Sequence, residues 1–364
     1  MIMKKLLFLA IMALFSVSTA QAQRVADKLT RGLVAIPQSN TDGVDAFYVP
    51  SGVGIFVSWR ILPTEYYDTQ YNLYRDGSKL NATPLSVSNY QDNTGKSTSK
   101  YYVVPVVRGV ERTDLKSEEV TPWAHQYWEI PVLPVVNRNG ATVTTYSLND
   151  CSVADVDGDG EMEFVVKRRN DSGLRDEGNT TNFNLHECYK MDGTRLWWID
   201  MGPNMMAGPD EQFDLILYDW DQDGKAEALM RGADNMIIHT ATGKTIKVGD
   251  MSYYAPRDEY TKHGKEYLIY LNGATGEPYL GWDGGDTWTP MEYPLPRFEK
   301  GEAANVLAAT EAEYSAVWGT SDTGHRAMKH YFGAPYLDGR NASIFLGRGC
   351  YTRHKFCALD VNKE

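Results

Sequence analysis

The stretch Asn149-Asp-Cys-Ser-Val-Ala-Asp155-Val-Asp157-Gly-Asp159-Gly-Glu-Met-Glu163-Phe-Val-Val-Lys167 decides the reading of this chain. Carboxylates at the alternate positions 155, 157 and 159 can converge on one ion, Gly158 and Gly160 let the backbone wrap tightly, and Glu163 adds a further oxygen ligand. An all-oxygen set of this kind suits a hard cation, Ca²⁺ above all. An EF-hand does not fit. Its closing glutamate is the twelfth loop residue and a helix comes next, whereas Glu163 is the ninth residue from Asp155 and Phe164-Val165-Val166 favours a strand. The pattern returns at Asp219-Trp-Asp221-Gln-Asp223-Gly-Lys-Ala-Glu227, again with an apolar run after it, Ala228-Leu-Met230, before Arg231. Two copies with one spacing predict two Ca²⁺ sites: Asp155, Asp157, Asp159 and Glu163 in one, and Asp219, Asp221, Asp223 and Glu227 in the other.

From Ala141 onward the sequence repeats around these loops. Each unit shows an acidic loop, an apolar strand, a second strand ending at a turn, and a strand rich in tryptophan or aliphatic residues. The first copy continues as Phe164–Lys167, Asn184–Met191 with the Asp192-Gly193 turn, and Leu196-Trp197-Trp198-Ile199. The second gives Ala228–Arg231, Met236–Thr240 with Thr242-Gly243, and Thr245–Val248. Repeated antiparallel units predict blades of a β-propeller. A degenerate third copy, Tyr336-Leu-Asp338-Gly339-Arg-Asn341, keeps the turn but not the acids, and is expected to hold no calcium. Twelve residues on from the first position of each loop stand Lys167, Arg231 and Arg348. These cations either face one central region or each pair with a neighbouring loop carboxylate; the spacing leaves both readings open.

Between Leu33 and Trp123 the period is two: Val53, Ile55, Val57 and Trp59 alternate with Gly54, Phe56 and Ser58, and Tyr102, Val104 and Val106 alternate again. This predicts a small antiparallel sandwich, and Val57-Ser-Trp59, Tyr71-x-Leu73-Tyr74 and Tyr102-x-Val104 resemble a fibronectin type III module, in which a core tryptophan packs between two sheets. Glu111–Glu119 is charged, and the segment just after it is flanked by Pro122 and Pro131, so the linker is placed there. The chain therefore reads as all-β: a sandwich over 24–125 and propeller blades over 126–364, incomplete at the C-terminus.

Residues 1–22 read as a signal peptide, with Lys4-Lys5, an apolar run from Leu6 to Val17 and a small-residue cleavage site at Ala20-Gln-Ala22. An exported protein, periplasmic or extracellular, is expected, with no membrane insertion. Removing the two lysines takes the formal charge from −12 to −14, which argues against nucleic acid or an anionic membrane as partner. Four cysteines show no C-x-x-C spacing; Cys151 and Cys188, in apolar strand contexts, read as single buried thiols.

Taken together, Tyr146-x-x-Asn149-Asp150-x-Ser152-Val153-x-Asp155-x-Asp157-Gly-Asp159-Gly-x-x-Glu163, Asp192-Gly-Thr-Arg-Leu196-Trp197, Gly208 to Glu227, and Tyr336-Leu-Asp338-Gly with Arg348-Gly-x-Tyr351-Thr352-Arg353 resemble rhamnogalacturonan lyases of polysaccharide lyase family 11. Arg31-Gly-Leu-Val-Ala-Ile36 and the Ile55–Gly77 module fit too. The resemblance implies an eight-bladed propeller behind an N-terminal β-domain, bound calcium, and eliminative cleavage of rhamnogalacturonan I, the rhamnose to galacturonate backbone of pectin, by a protein that is monomeric at full length. It also implies that this chain corresponds to the first half or so of the family's length, and is inactive alone. Lys167-Arg168-Arg169-Asn170 departs from the Lys-Trp-Asp of some members, so substrate contacts there do not carry over.

Elimination takes the C5 proton of a galacturonate whose carboxylate a cation neutralises. Lys167, Arg231, Arg348 and Arg353 are the candidates for binding that carboxylate, with Asn149 and His325 beside them. No catalytic base is named, because the resemblance places much of the cleft beyond residue 364. A non-catalytic calcium propeller used for glycan binding or adhesion would show the same loops. A quinoprotein-like propeller also ends its blades in tryptophan, but the acidic loops argue against it.

Overall fold

A computed structural model describes residues 28–38, 53–170, 178–205, 215–256, 262–319 and 324–361. The leader expected at 1–22 lies outside the described residues, as does part of the Gly208–Glu227 motif. Two compact units emerge, Ala26–Pro131 with Asp159–Glu161, and Val132–Gly158 with Met162–Glu364.

The first unit holds β1 (Val34–Pro37), β2 (Ile55–Ser58), β3 (Gln70–Arg75), β4 (Ser78–Lys79), β5 (Asn89–Asp92), β6 (Tyr101–Val107) and β7 (Val110–Glu111). They form two antiparallel sheets, β1-β2-β5 and β4-β3-β6-β7. One core joins the sheets: Ala35, Ile55 and Val57 from one meet Tyr71, Leu73, Tyr101 and Val103 from the other. Trp59 meets Tyr71 edge-on, ring centroids 5.5 Å apart. The alternation in the sequence has this cause, since every second residue of a strand faces the same side.

The second unit holds β8 (Val135–Val136), β9 (Thr142–Val143), β10 (Tyr146–Ala154), β11 (Glu163–Asn170), β12 (Leu185–Tyr189), β13 (Arg195–Asp200), β14 (Leu215–Tyr218), β15 (Glu227–Ala233), β16 (Met236–His239), β17 (Thr245–Val248), β18 (Glu266–Leu271), β19 (Thr287–Trp288), β20 (His330–Gly333), β21 (Ser343–Arg348) and β22 (Lys355–Asp360), with one helix, α1 (Glu311–Trp318), among the described residues. Its principal sheets run β10-β11-β12-β13-β16-β17-β19, β14-β15-β18 and β20-β21-β22. The two acidic loops and the degenerate third loop have the same place in the fold. Each joins the first strand of a sheet to the second, β10 to β11, β14 to β15 and β20 to β21, and a third strand then pairs on the far side.

Sheet pairing corrects the expected composition of the second repeat. Strands 228–231, 236–240 and 245–248 were expected to be neighbours, yet β15 pairs with β18, whereas the β16–β17 hairpin extends the first sheet by pairing with β13. Across that seam Trp198 stacks on His239, centroids 3.7 Å apart, an aromatic cross-strand pair of the kind that fixes strand partners. β15 is buried along its whole length because both faces are covered. Ala228 and Met230 share a core with Val165, Cys188 and Trp197, while Leu229 points the other way into a core with Tyr270, Ile344 and Leu346.

All four cysteines are free thiols; Cys188 is buried as expected, but Cys151 is exposed. It lies on β10, an edge strand whose residues are half-buried or open along its length. No helix among the described residues is long and apolar enough to cross a membrane. The helix α1 begins with a capping box, in which Thr310 Oγ1 accepts from the Glu313 amide and Glu313 in turn accepts from the Thr310 amide. Its last residue, Trp318, donates its indole N–H to the Arg297 carbonyl. Thr310→Ala should therefore cost about 1 kcal/mol, read as a lower denaturant midpoint with unchanged slope.

Candidate metal centre and buried arginine cluster

Loop Asp219–Glu227 gathers its four carboxylates: Asp219, Asp221, Asp223 and Glu227 each offer an oxygen, all within 4.8 Å of one another. Backbone amides fold the loop. Asp219 accepts from Asp223 and Gly224, Asp221 from Asp223, and Asp223 from Lys225. Gly224 sits at φ 93°, in the left-handed region that favours glycine, and Gln222 takes φ 59°, where the first loop has Gly158 at 80°. One oxygen of Glu227 is held by the Trp220 amide and the Tyr270 hydroxyl. Burial pushes the Glu227 carboxyl up to about 8, with Asp221 and Asp219 adding to it against those two donors. Burial likewise raises Asp219, with Asp223 and Asp221 contributing. Four acids crowded this way are destabilising until a cation neutralises them, and their oxygens suit calcium.

The first loop differs. Asp155, Asp157 and Asp159 offer oxygens within 4.8 Å of one another, but Glu163 is not within that span of all three. One Glu163 oxygen accepts from the Val156 amide, as Glu227 accepts from Trp220. The other faces Lys190 at 3.8 Å, and Lys190 lies 2.6 Å from Asp157. A lysine thus already supplies positive charge here, so this loop fits a metal less fully. In the third loop Asp338 accepts from the amides of Arg340 and Asn341 and from the Asn341 side chain. Hydrogen bonds there close the turn.

Two of the three shared cations come together and the third stands apart from their carboxylate. Lys167 on β11 is 1% exposed and lies opposite His186, itself fully buried; burial, then Lys167, pulls the His186 imidazole well below its usual range. Arg231 on β15 and Arg348 on β21 instead converge on Glu266, the first residue of β18, at 3.3 and 2.6 Å. Arg297 joins them at 3.3 Å. Arg231 is 2% and Arg348 0% exposed, so neither presents its guanidinium to a polymer in this arrangement. Their partner is not a calcium-loop carboxylate either. Burial alone would raise Glu266, but Arg348, Arg297 and Arg231 together hold it well below the usual carboxylate range.

Of the remaining candidates, Asn149 sits in a β-bulge of β10 between Leu148 and Cys151, half-buried, its side-chain oxygen without a hydrogen-bond partner. His325 precedes the short 3₁₀ turn Arg326–Met328. Arg353, with a side chain 27% exposed, binds Glu302 at 2.7 Å and lies over the Trp318 ring. Of the six candidates, Arg231 and Arg348 share a partner, Glu266. Glu266, Arg297 and Lys190 were not singled out in the sequence: Glu266 opens an apolar strand like an ordinary surface charge, and neither Arg297 nor Lys190 belongs to a recurring loop position.

A family model described as "Rhamnogalacturonan lyase family 11, C-terminal domain" matches residues 127–283, and one described as "Rhamnogalacturonan I lyases beta-sheet domain" matches 24–123. The chain belongs to rhamnogalacturonan lyase family 11. Among curated proteins this family-11 chain is 36% identical over 348 residues to the rhamnogalacturonan endolyase YesW of Bacillus subtilis (strain 168), covering 93% of this chain and 48% of the relative. It is 33% identical over 345 residues to the rhamnogalacturonan exolyase YesX of the same organism, covering 93% and 49%. The crystal structure of YesX superposes with a TM-score of 0.69 at 32% identity, over 94% of this chain and 50% of that one. The Bacillus licheniformis family-11 lyase gives 0.69 at 33%, over 93% and 51%. The chain spans about half the length of the relatives it matches.

Proposed function

We propose that this protein belongs to an exported, calcium-dependent lyase that cleaves the rhamnogalacturonan backbone of pectin by β-elimination at galacturonate. Its similarity along nearly its whole length to an endolyase and an exolyase of that polymer carries the reading. The four-carboxylate loop supports the calcium part, and the lysine-flanked apolar run at the N-terminus supports export. In elimination a base takes the C5 proton, the C4–O bond breaks with its electrons leaving on oxygen, and a C4–C5 double bond forms.

The fold reading is finer than all-β. The three-plus-four-stranded first unit is a fibronectin III-like sandwich, and the sheets β10–β13, β14-β15-β18 and β20-β21-β22 are propeller blades. Asp219, Asp221, Asp223 and Glu227 would hold Ca²⁺, which supplies charge neutralisation, and the loop so closed fixes β14 against β15. Asp155, Asp157 and Asp159 form the second, weaker site. Arg231 and Arg348 brace the interior rather than grip the polymer, since Glu266 occupies both. That leaves Arg353, Asn149 and His325, all half-buried, as the candidates nearer the surface.

The test incubates the purified protein with rhamnogalacturonan and follows both the absorbance of the unsaturated product and retention of the polymer. New absorbance is expected from a protein of the relatives' full length, and little or none from these 364 residues alone, which span about half of it. Retention without absorbance by the full-length protein would favour the non-catalytic glycan-binding reading, and neither signal from it would overturn both.

A further inference from the structure

Three guanidiniums and one carboxylate meet in the interior of the second unit. Arg231, Arg297 and Arg348 are each at least 95% buried and all contact Glu266. Three positive charges against one negative leave an excess of two. Buried charge without a counter-charge is strongly unfavourable, because little solvent is available to screen it. His330 adjoins the cluster, and burial, then Arg348 and Arg231, pulls it well below its usual range, so it stays neutral.

The donors of this cluster are also not fully used. Nε of Arg231, Nη1 of Arg297, Nε of Arg348 and the hydroxyl of Tyr293 are buried and lack a hydrogen-bond partner, whereas neutral His330 gives its one ring proton, on Nδ1, to the Met328 carbonyl. The bonds that the arginines make go to Glu266, to the Ala327 carbonyl from Arg348 and to the Gly264 carbonyl from Arg297. A cavity of about 290 Å³ reaches the cluster, with Glu266, Tyr293 and Arg297 in its wall. Buried polar atoms in folded proteins find partners, and a group of four unsatisfied donors around excess positive charge points to a ligand that accepts hydrogen bonds and carries negative charge.

We infer that the Arg231–Arg297–Arg348 cluster is a binding site for a compact monovalent anion, a halide or a single carboxylate group, that complements Glu266 and locks β15, β18 and β21 together. The site goes beyond the lyase reading and does not depend on cleavage of any glycan. Its role is structural: one anion would reinforce the tie that Glu266 alone makes between the arginines of two sheets.

The test melts the wild-type chain at constant ionic strength and pH in sodium acetate, chloride or bromide, with the bulky anion of morpholinopropanesulfonic acid as the reference. A saturable rise of about 3 °C over the reference is expected, lost in Arg297→Gln. A rise with acetate alone identifies a carboxylate site, and a rise with chloride and bromide as well identifies a halide-sized one. Equal melting in all four anions, or an equal rise in Arg297→Gln, would overturn the proposal. If Arg297→Gln does not fold, wild-type crystals soaked in bromide or in acetate decide: density for either anion within about 3.5 Å of the guanidiniums supports the site, and the absence of both there overturns it.

Discussion

Glu266→Ala is expected to destabilise the protein by about 3–5 kcal/mol, because removing one partner of a buried ion cluster leaves the other charges uncompensated. Here the loss falls on three guanidiniums, those of Arg231, Arg297 and Arg348. The melting temperature should fall on the order of 10 °C. Glu266→Gln, which keeps the shape and one acceptor oxygen, should lose nearly as much if charge is the cause, and far less if hydrogen bonding is. The effect also has a definite pH sense. Glu266 in the folded protein lies well below its ordinary range, held there by the three arginines against burial. A depressed carboxyl contributes stability that is fully present above its unfolded value, about 4.3, and is lost as pH falls through the folded value. The gap between wild type and Glu266→Gln should therefore be widest near neutrality and narrow as the pH drops below about 4. Denaturant unfolding at several pH values reads it directly, and a gap that is constant or widens in acid would remove Glu266 as the electrostatic centre of the second unit.

Calcium should have the next largest effect. A ligand that binds only the folded state at a hundredfold excess over its dissociation constant stabilises by roughly 3 kcal/mol, so chelation should lower the melting temperature by several degrees. The two loops should not share this equally. Asp219, Asp221, Asp223 and Glu227 converge on one another, while Lys190 already faces Asp157 and Glu163 in the first loop. Asp221→Asn should therefore abolish most of the calcium-dependent rise, and Asp157→Asn only a minor part. Lys190→Met should strengthen the calcium response of the first loop by removing the competing charge. A melt insensitive to chelator, with no calcium found by elemental analysis, would dismiss both sites.

Much of this was legible in the sequence because it is local. A loop of nine residues carries its own carboxylates and its own turn glycine, so those of Asp219, Asp221, Asp223 and Glu227 converge in the structure as their spacing demands. Strand period is local too, and Val57, Trp59, Tyr71 and Leu73 are buried where alternation placed them. Even the count of twelve residues to Arg231 and Arg348 marked something physical, since both lie on the middle strand of their sheets and both reach the same carboxylate.

What they meet was decided by tertiary structure alone. Glu266 and Arg297 reach Arg231 and Arg348 because β18 pairs with β15, and nothing in a short apolar run states which strand will be the neighbour. The same limit explains the hairpin β16–β17, which left its expected blade for β13 once Trp198 and His239 could stack. Lys190 shows it at the first loop, whose sequence matches the second while a lysine just past the end of β12 changes its charge. Spacing fixes which groups a loop can bring together within itself; which charge arrives from another strand depends on pairing energies summed over the whole sheet.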